Sequence, residues 1–141
     1  MYQVPIFVSS EDKFLLERQN STAKHFLKTK IETPNIVTID KDLSKIKEVW
    51  IGKEKLEVIK TPGHTPGSVC LYSQKDKILF SGDTLFKQFR GRTDFAYGST
   101  KKIYDSLKRL MKLPEETMVL SGHGEKTTIG DEKPRYVLDV S

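Results

Sequence analysis

Apolar and polar positions recur along this chain with a period that changes from segment to segment. Val4-Pro5-Ile6-Phe7-Val8 is a short apolar run whose proline lies near the start, where a missing N–H is tolerated, and it reads as a buried strand. Ser9 and Ser10 then precede Glu11-Asp12-Lys13-Phe14-Leu15-Leu16. A serine cap followed by acids in the first turn predicts a helix over residues 11–28, with Asn20-Ser21-Thr22 the place where it could break. Thr33-Pro34-Asn35 marks a loop.

The next stretch switches to strand character. Residues 47–51, the pair Gly52-Lys53 and residues 56–59 alternate and turn like a hairpin. Thr61-Pro62-Gly63-His64-Thr65-Pro66-Gly67 is too rich in proline and glycine to be anything but loop. Val69-Cys70-Leu71-Tyr72 and Ile78-Leu79-Phe80 are short strands around the turn Gln74-Lys75-Asp76. Residues 82–98 read as one long loop. Ser99 caps a helix whose apolar positions Ile103, Leu107, Leu110 and Met111 recur at helical spacing, and Pro114 ends it. Thr117-Met118-Val119-Leu120 is a further strand running into Ser121-Gly122-His123-Gly124. Strands, helix and strand in this order predict an α/β layered fold with a mixed sheet, and 141 residues suit one domain, 1–141.

Composition narrows the partners. No apolar run reaches the roughly 18–20 residues a membrane span needs, and the N-terminal residues lack a signal-peptide layout. One cysteine, Cys70, excludes an internal disulfide framework, suits a reducing compartment and predicts a cytoplasmic protein. The net charge is +5, but the lysines are scattered among acids and no arginine stripe interleaves with aromatics. A solvated surface is therefore expected instead of a nucleic-acid face, with an anionic small substrate left open.

Three candidate sites each follow a predicted strand directly: His64 in TPGHTPG, Asp83 in FSGDTLF and His123 in VLSGHGE. Loops at strand ends are held by the sheet behind them, and imidazole nitrogen with carboxylate oxygen is the donor set of zinc and similar divalent ions. Gly63, Gly82, Gly122 and Gly124 beside them permit tight turns and close approach. A lone loop histidine is more often a surface residue, and a lone Gly-Asp is more often only a turn. Three together keep metal binding and the plain reading both open. Cys70 lies mid-strand and reads as core, so no cysteine nucleophile competes.

Taken jointly, TPGHTPGSVCLY, ILFSGDTLF, GRTD and VLSGHGEKTTIGDEK resemble, in order and spacing, the consecutive motifs of metallo-β-lactamase-fold hydrolases, over residues 4–133. The glyoxalase-II-like (hydroxyacylglutathione-hydrolase-like) branch is the nearest in appearance. The resemblance implies an αββα sandwich, here with its N-terminal strands missing, and metal-dependent hydrolysis of an ester or thioester. It makes His64 a ligand of a first metal, Asp83 a bridge and His123 a ligand of a second, most naturally zinc, up to two ions in a complete site. Arg92 of GRTD would lie near the site, either gripping an anionic substrate or in a structural ion pair.

The signature His-x-His-x-Asp-His of that family occurs nowhere in these 141 residues, and the remaining histidine, His25, falls on a predicted helix. Three ligands cannot close two sites, so weak metal binding and little hydrolysis are expected of this chain alone. Missing strands would also leave apolar residues such as Phe7, Trp50, Ile59 and Leu71 exposed, which implies a partner: another copy of the chain or a separate N-terminal half. The alternatives are a non-catalytic binding or assembly module and a truncated fragment retaining the C-terminal half of the fold.

Overall fold

A computed structural model describes residues 4–28 and 39–137. Sheet pairing organises them. Strands β3 (Glu48–Ile51), β4 (Glu54–Lys60), β5 (Val69–Ser73), β6 (Ile78–Gly82), β9 (Met118–Ser121) and β10 (Thr127–Thr128) form one mixed six-stranded sheet in the order β10-β9-β6-β5-β4-β3. Neighbours are antiparallel except β6 and β9, which are parallel and joined through helix α2 (Thr100–Leu110). Two smaller pairs stand apart: β1 (Phe7–Val8) with β2 (Lys41–Asp42), and β7 (Leu85–Phe86) with β8 (Phe89–Arg90). A 3-10 turn, Ser10–Asp12, leads into α1 (Lys13–Leu27), and α3 (Ile129–Tyr136) closes the described chain.

The chain belongs in this arrangement for local reasons. Ser9 caps the 3-10 turn by accepting from the Glu11 amide, and α1 continues unbroken through Asn20-Ser21-Thr22. The hairpin predicted around Gly52-Lys53 forms, with Val49 opposite Leu56. Ser99 caps α2 by accepting from the Lys102 amide, and Ile103, Leu107 and Leu110 are all fully buried beneath it. At roughly 1.5–3 kcal/mol for each buried aliphatic side chain, that stripe fastens α2 to the sheet. The loop expected at Thr33-Pro34-Asn35 lies outside the described residues.

Directly opposed residues share a face, so the register separates the two sides of the sheet. Tyr72, Leu79 and Val119 form one cross-strand row, buried together with α2 and α3. Val58, Leu71, Phe80 and Leu120 form the row on the other face. That row is equally apolar yet only partly covered, and Phe80 is 41% exposed. The expected exposure is thus found for Leu71's face and for Trp50, 57% exposed on β3. Ile59 differs: it pairs with Cys70 on the helix side and packs against the buried core.

Cys70 is completely buried, with its Sγ 3.4 Å from Thr61 Oγ1 and 3.6 Å from the Ser81 carbonyl. Burial pushes its thiol up to about 11. An unfolded thiol titrates near ~8.5, so the folded chain holds its proton more tightly. Stability from this group is therefore complete below about pH 8.5 and falls as pH rises from there towards 11. A thiol-reactive dye at pH 8 should leave the native protein unlabelled and titrate one thiol after denaturation. Rapid labelling of the native protein would contradict the burial.

Candidate functional site

Strand direction brings the site together. β4 and β6 are each antiparallel to β5 and therefore run the same way, and β9 is parallel to β6. All three carboxyl ends emerge at one edge of the sheet. From that edge the chain continues to His64 after β4, Asp83 after β6 and His123 after β9, the position where sheets of this kind carry their ligands. The three side chains line one cleft of about 380 Å3 with Phe86, Lys87, Phe89, Arg90 and Arg92.

Asp83 stands between the two histidines. Its Oδ2 lies 3.8 Å from His64 Nε2, and its Oδ1 lies 3.4 Å from His123 Nδ1. Two donors on one tetrahedral zinc, at about 2.0–2.1 Å each, would sit roughly 3.3–3.4 Å apart, so the His123 pair fits a shared ion and the His64 pair is slightly wide. Among the described residues no three His, Cys, Asp or Glu side chains close into a metal-holding cluster. The arrangement is two donor pairs sharing one carboxylate.

The histidines are held differently. His64 Nδ1 lies 2.9 Å from the carbonyl of Arg92, which can only accept, so the ring carries its proton on Nδ1 and presents Nε2 towards Asp83. Its side chain is 23% exposed and meets Phe95 edge-on at 5.6 Å. His123 is 75% exposed and is flanked by Phe86 at 4.7 Å. One ring is pre-set and the other is supported chiefly from one side.

Two elements clamp the His64 loop. From the 3-10 turn, Asp12 accepts from the Thr65 hydroxyl at 2.5 Å and from the Gly67 amide at 2.6 Å. From α2, the Ser106 hydroxyl donates to the Pro62 carbonyl, and Arg109 donates to Ser106 Oγ and to the Lys60 carbonyl. Gly63 passes so close to α2, at φ +146°, that a Cβ would lie 2.4 Å from the Ile103 backbone nitrogen. Gly122 serves Asp83 in the same way, since a Cβ there would stand 2.6 Å from Asp83 Oδ1.

Arg92 lines the cleft, but its guanidinium makes a bidentate pair with Asp94, Nε to Oδ1 at 2.9 Å and Nη2 to Oδ2 at 2.8 Å. That hydrogen-bonded partner holds the Asp94 carboxyl below the usual carboxylate range. The contribution of Arg92 to His64 comes from its backbone carbonyl, which residue type alone does not reveal. His25 lies on α1, away from the motif loops in sequence and not among the residues lining the cleft. Also unforeseen were the β7–β8 hairpin inside residues 82–98 and the whole of β10 and α3.

A family profile described as the metallo-beta-lactamase superfamily matches residues 6–123. The chain belongs to the metallo-β-lactamase superfamily. Hydroxyacylglutathione hydrolase GloC of Haemophilus influenzae is 33% identical over 143 aligned positions, covering 94% of this chain and 62% of that relative. The crystal structure of the B3 metallo-beta-lactamase BLEG-1 superposes with a TM-score of 0.81 at 37% identity, and that of TTHA1623, solved in a di-iron-bound form, with 0.79 at 32%. Each superposition covers 92% of this chain and 62% of the other. The superfamily's mixed sheet with flanking helices is the fold found, its lineage is one of hydrolases, and this chain spans about 62% of the length of such relatives. No described helix is long and apolar enough to cross a membrane.

Removing the Asp12 clamp costs two hydrogen bonds to a charged acceptor. Asp12→Ala should lower unfolding stability by roughly 2–3 kcal/mol in urea titration. A change below about 0.5 kcal/mol would mean the His64 loop holds itself.

Proposed function

We propose that this chain carries part of the active site of a metal-dependent hydrolase acting on esters or thioesters, with His64, Asp83 and His123 as metal ligands. The observation carrying this reading is Asp83 with one imidazole facing each carboxylate oxygen, at 3.8 and 3.4 Å. His64 would offer Nε2 to a first ion, Asp83 one oxygen to each of two, and His123 a nitrogen to the second. Such an ion, most naturally zinc, supplies Lewis acidity towards a carbonyl oxygen and acidifies water.

The chain's own residues do the rest. The carbonyl of Arg92 fixes the tautomer of His64 and so leaves Nε2 facing Asp83. Phe86 and Phe89 give the cleft apolar walls; Lys87 and Arg92 are paired with Glu125 and Asp94, while Arg90 lines it without an ion pair among the described residues and would draw in an anionic substrate. Two donors per ion, one of them shared, make a weak site, so efficient hydrolysis requires further ligands from another polypeptide segment. The half-covered row Val58, Leu71, Phe80 and Leu120 supports a partner seated on that face, either a second copy or a separate N-terminal half. The buried lone thiol suits a cytoplasmic setting. A non-catalytic binding module is the second reading, favoured by the absence of a closed three-donor cluster among the described residues.

Calorimetric titration with zinc checks the ligand assignment. Binding should be saturable, too weak to survive desalting, and weakened at least about tenfold by Asp83→Ala. Gly122→Ala, which displaces the carboxylate while removing no donor, should weaken it as well. Zinc binding indifferent to both would overturn the assignment. Supplying in trans a family segment bearing His-x-His-x-Asp-His then separates the two readings. Ester hydrolysis that appears only in the mixture supports the hydrolase, whereas a stable but inert complex supports the module.

A further inference from the structure

Glu132 is an anomaly among the charged residues. It lies on α3, 1% exposed, and no step of the proposed chemistry uses it. Its Oε1 accepts two hydrogen bonds, from the Thr127 hydroxyl at 2.8 Å and from the backbone amide of Gln88 at 3.0 Å. Its Oε2 is buried without a hydrogen bond and has only Arg135 Nε, at 3.5 Å, as an ionic neighbour. Burying a carboxylate with one oxygen unsatisfied is costly, so the bonds made by the other oxygen must be worth making.

The bond to Gln88 reaches across the structure to the cleft. Gln88 sits at the turn of the β7–β8 hairpin with φ +67°, a left-handed conformation that residues with side chains avoid. That hairpin supplies Phe86, Lys87, Phe89 and Arg90 to the cleft, and Phe86 is the ring lying against His123. A second tie to the hairpin, the Lys87–Glu125 ion pair, is exposed on both sides and holds little by comparison.

We infer that Glu132 is a positioning residue for the candidate site: by holding the Gln88 amide it keeps the hairpin turn in its left-handed form and so keeps Phe86 against His123. The inference extends the proposed function but is tested without metal or substrate, so either can fail alone. Thr127 and Gln88 are 39 residues apart in sequence, and one carboxylate oxygen joins the sheet's last strand to the cleft wall.

The test is nuclear magnetic resonance of the metal-free chain. In the wild type the Gln88 amide should exchange with solvent more than about tenfold slower than its intrinsic rate. Exchange at the intrinsic rate overturns the proposal, whatever any variant does. Glu132→Ala should move the ring signals of His123 towards those seen in Phe86→Ala while leaving His64 in place. Glu132→Gln, whose carbonyl can accept the same two bonds, should keep the wild-type His123 signals. Gln88→Gly removes the strain at the turn, so Glu132→Ala should shift His123 less in that background. A residue that merely docks α3 would lower the melting temperature equally in both backgrounds and leave His123 unmoved, and that result overturns the proposal.

Discussion

The site depends on a constraint of direction. β4, β6 and β9 point the same way, and a side chain placed just beyond each carboxyl end is delivered to the same edge of the sheet. Two antiparallel steps relate β4 to β6, and one crossover through α2 relates β6 to β9. Had the β6–β9 connection been a hairpin, β9 would run the other way and carry His123 to the far edge. The crossover exists because α2 buries Ile103, Leu107 and Leu110 on the sheet, so the hydrophobic stripe of one helix determines where an imidazole over ten residues downstream is placed.

Position within that edge is then refined by hydrogen bonds of very different quality. His64 is fixed at its ring by the Arg92 carbonyl and at its loop by Asp12, Ser106 and Arg109. Beneath it, the hydroxyls of Thr61 and Thr84 meet at 3.1 Å in the buried layer and tie the end of β4 to the segment after Asp83. His123 has no comparable fastening on its ring among the contacts of the described residues; Phe86 and the Asp83 carboxylate are its neighbours. Asp83 therefore sits between a ring held by a hydrogen bond and one that is largely exposed. Metal affinity in such a site is limited by the ordering of the looser ring.

Much of this was legible in residue order. Capping serines at Ser9 and Ser99, the period of α2, the Gly52-Lys53 hairpin and the three glycine-framed loops each carry a local physical signal, and each appears where that signal puts it. The β7–β8 hairpin carried none: its strands are two residues long, and its turn uses Lys87-Gln88 where asparagine and glycine would announce one. α3 was obscured by Pro134, which normally argues against a helix interior. Its start was marked all the same, by Thr128 accepting from the Asp131 amide and by acids in the first turn. Burial of Ile129 and Tyr136 outweighs the proline, a tertiary effect that no local pattern contains.

The two faces of the sheet finally bear on the site through its edge. One face is sealed by α2 and α3, while the other presents Val58, Leu71, Phe80 and Leu120 only partly covered. Phe80 and Leu120 lie within three residues of Asp83 and His123, so whatever packs on that row would bear on the ends of β6 and β9, from which both candidate ligands project. A partner that binds only the ordered sheet stabilises it by mass action, and an ion that needs the ordered edge does likewise. Were both to bind, the two equilibria would share one folded state, and linkage would make their coupling reciprocal: cover on the apolar face would raise affinity for the ion by the factor that the ion raised affinity for the cover.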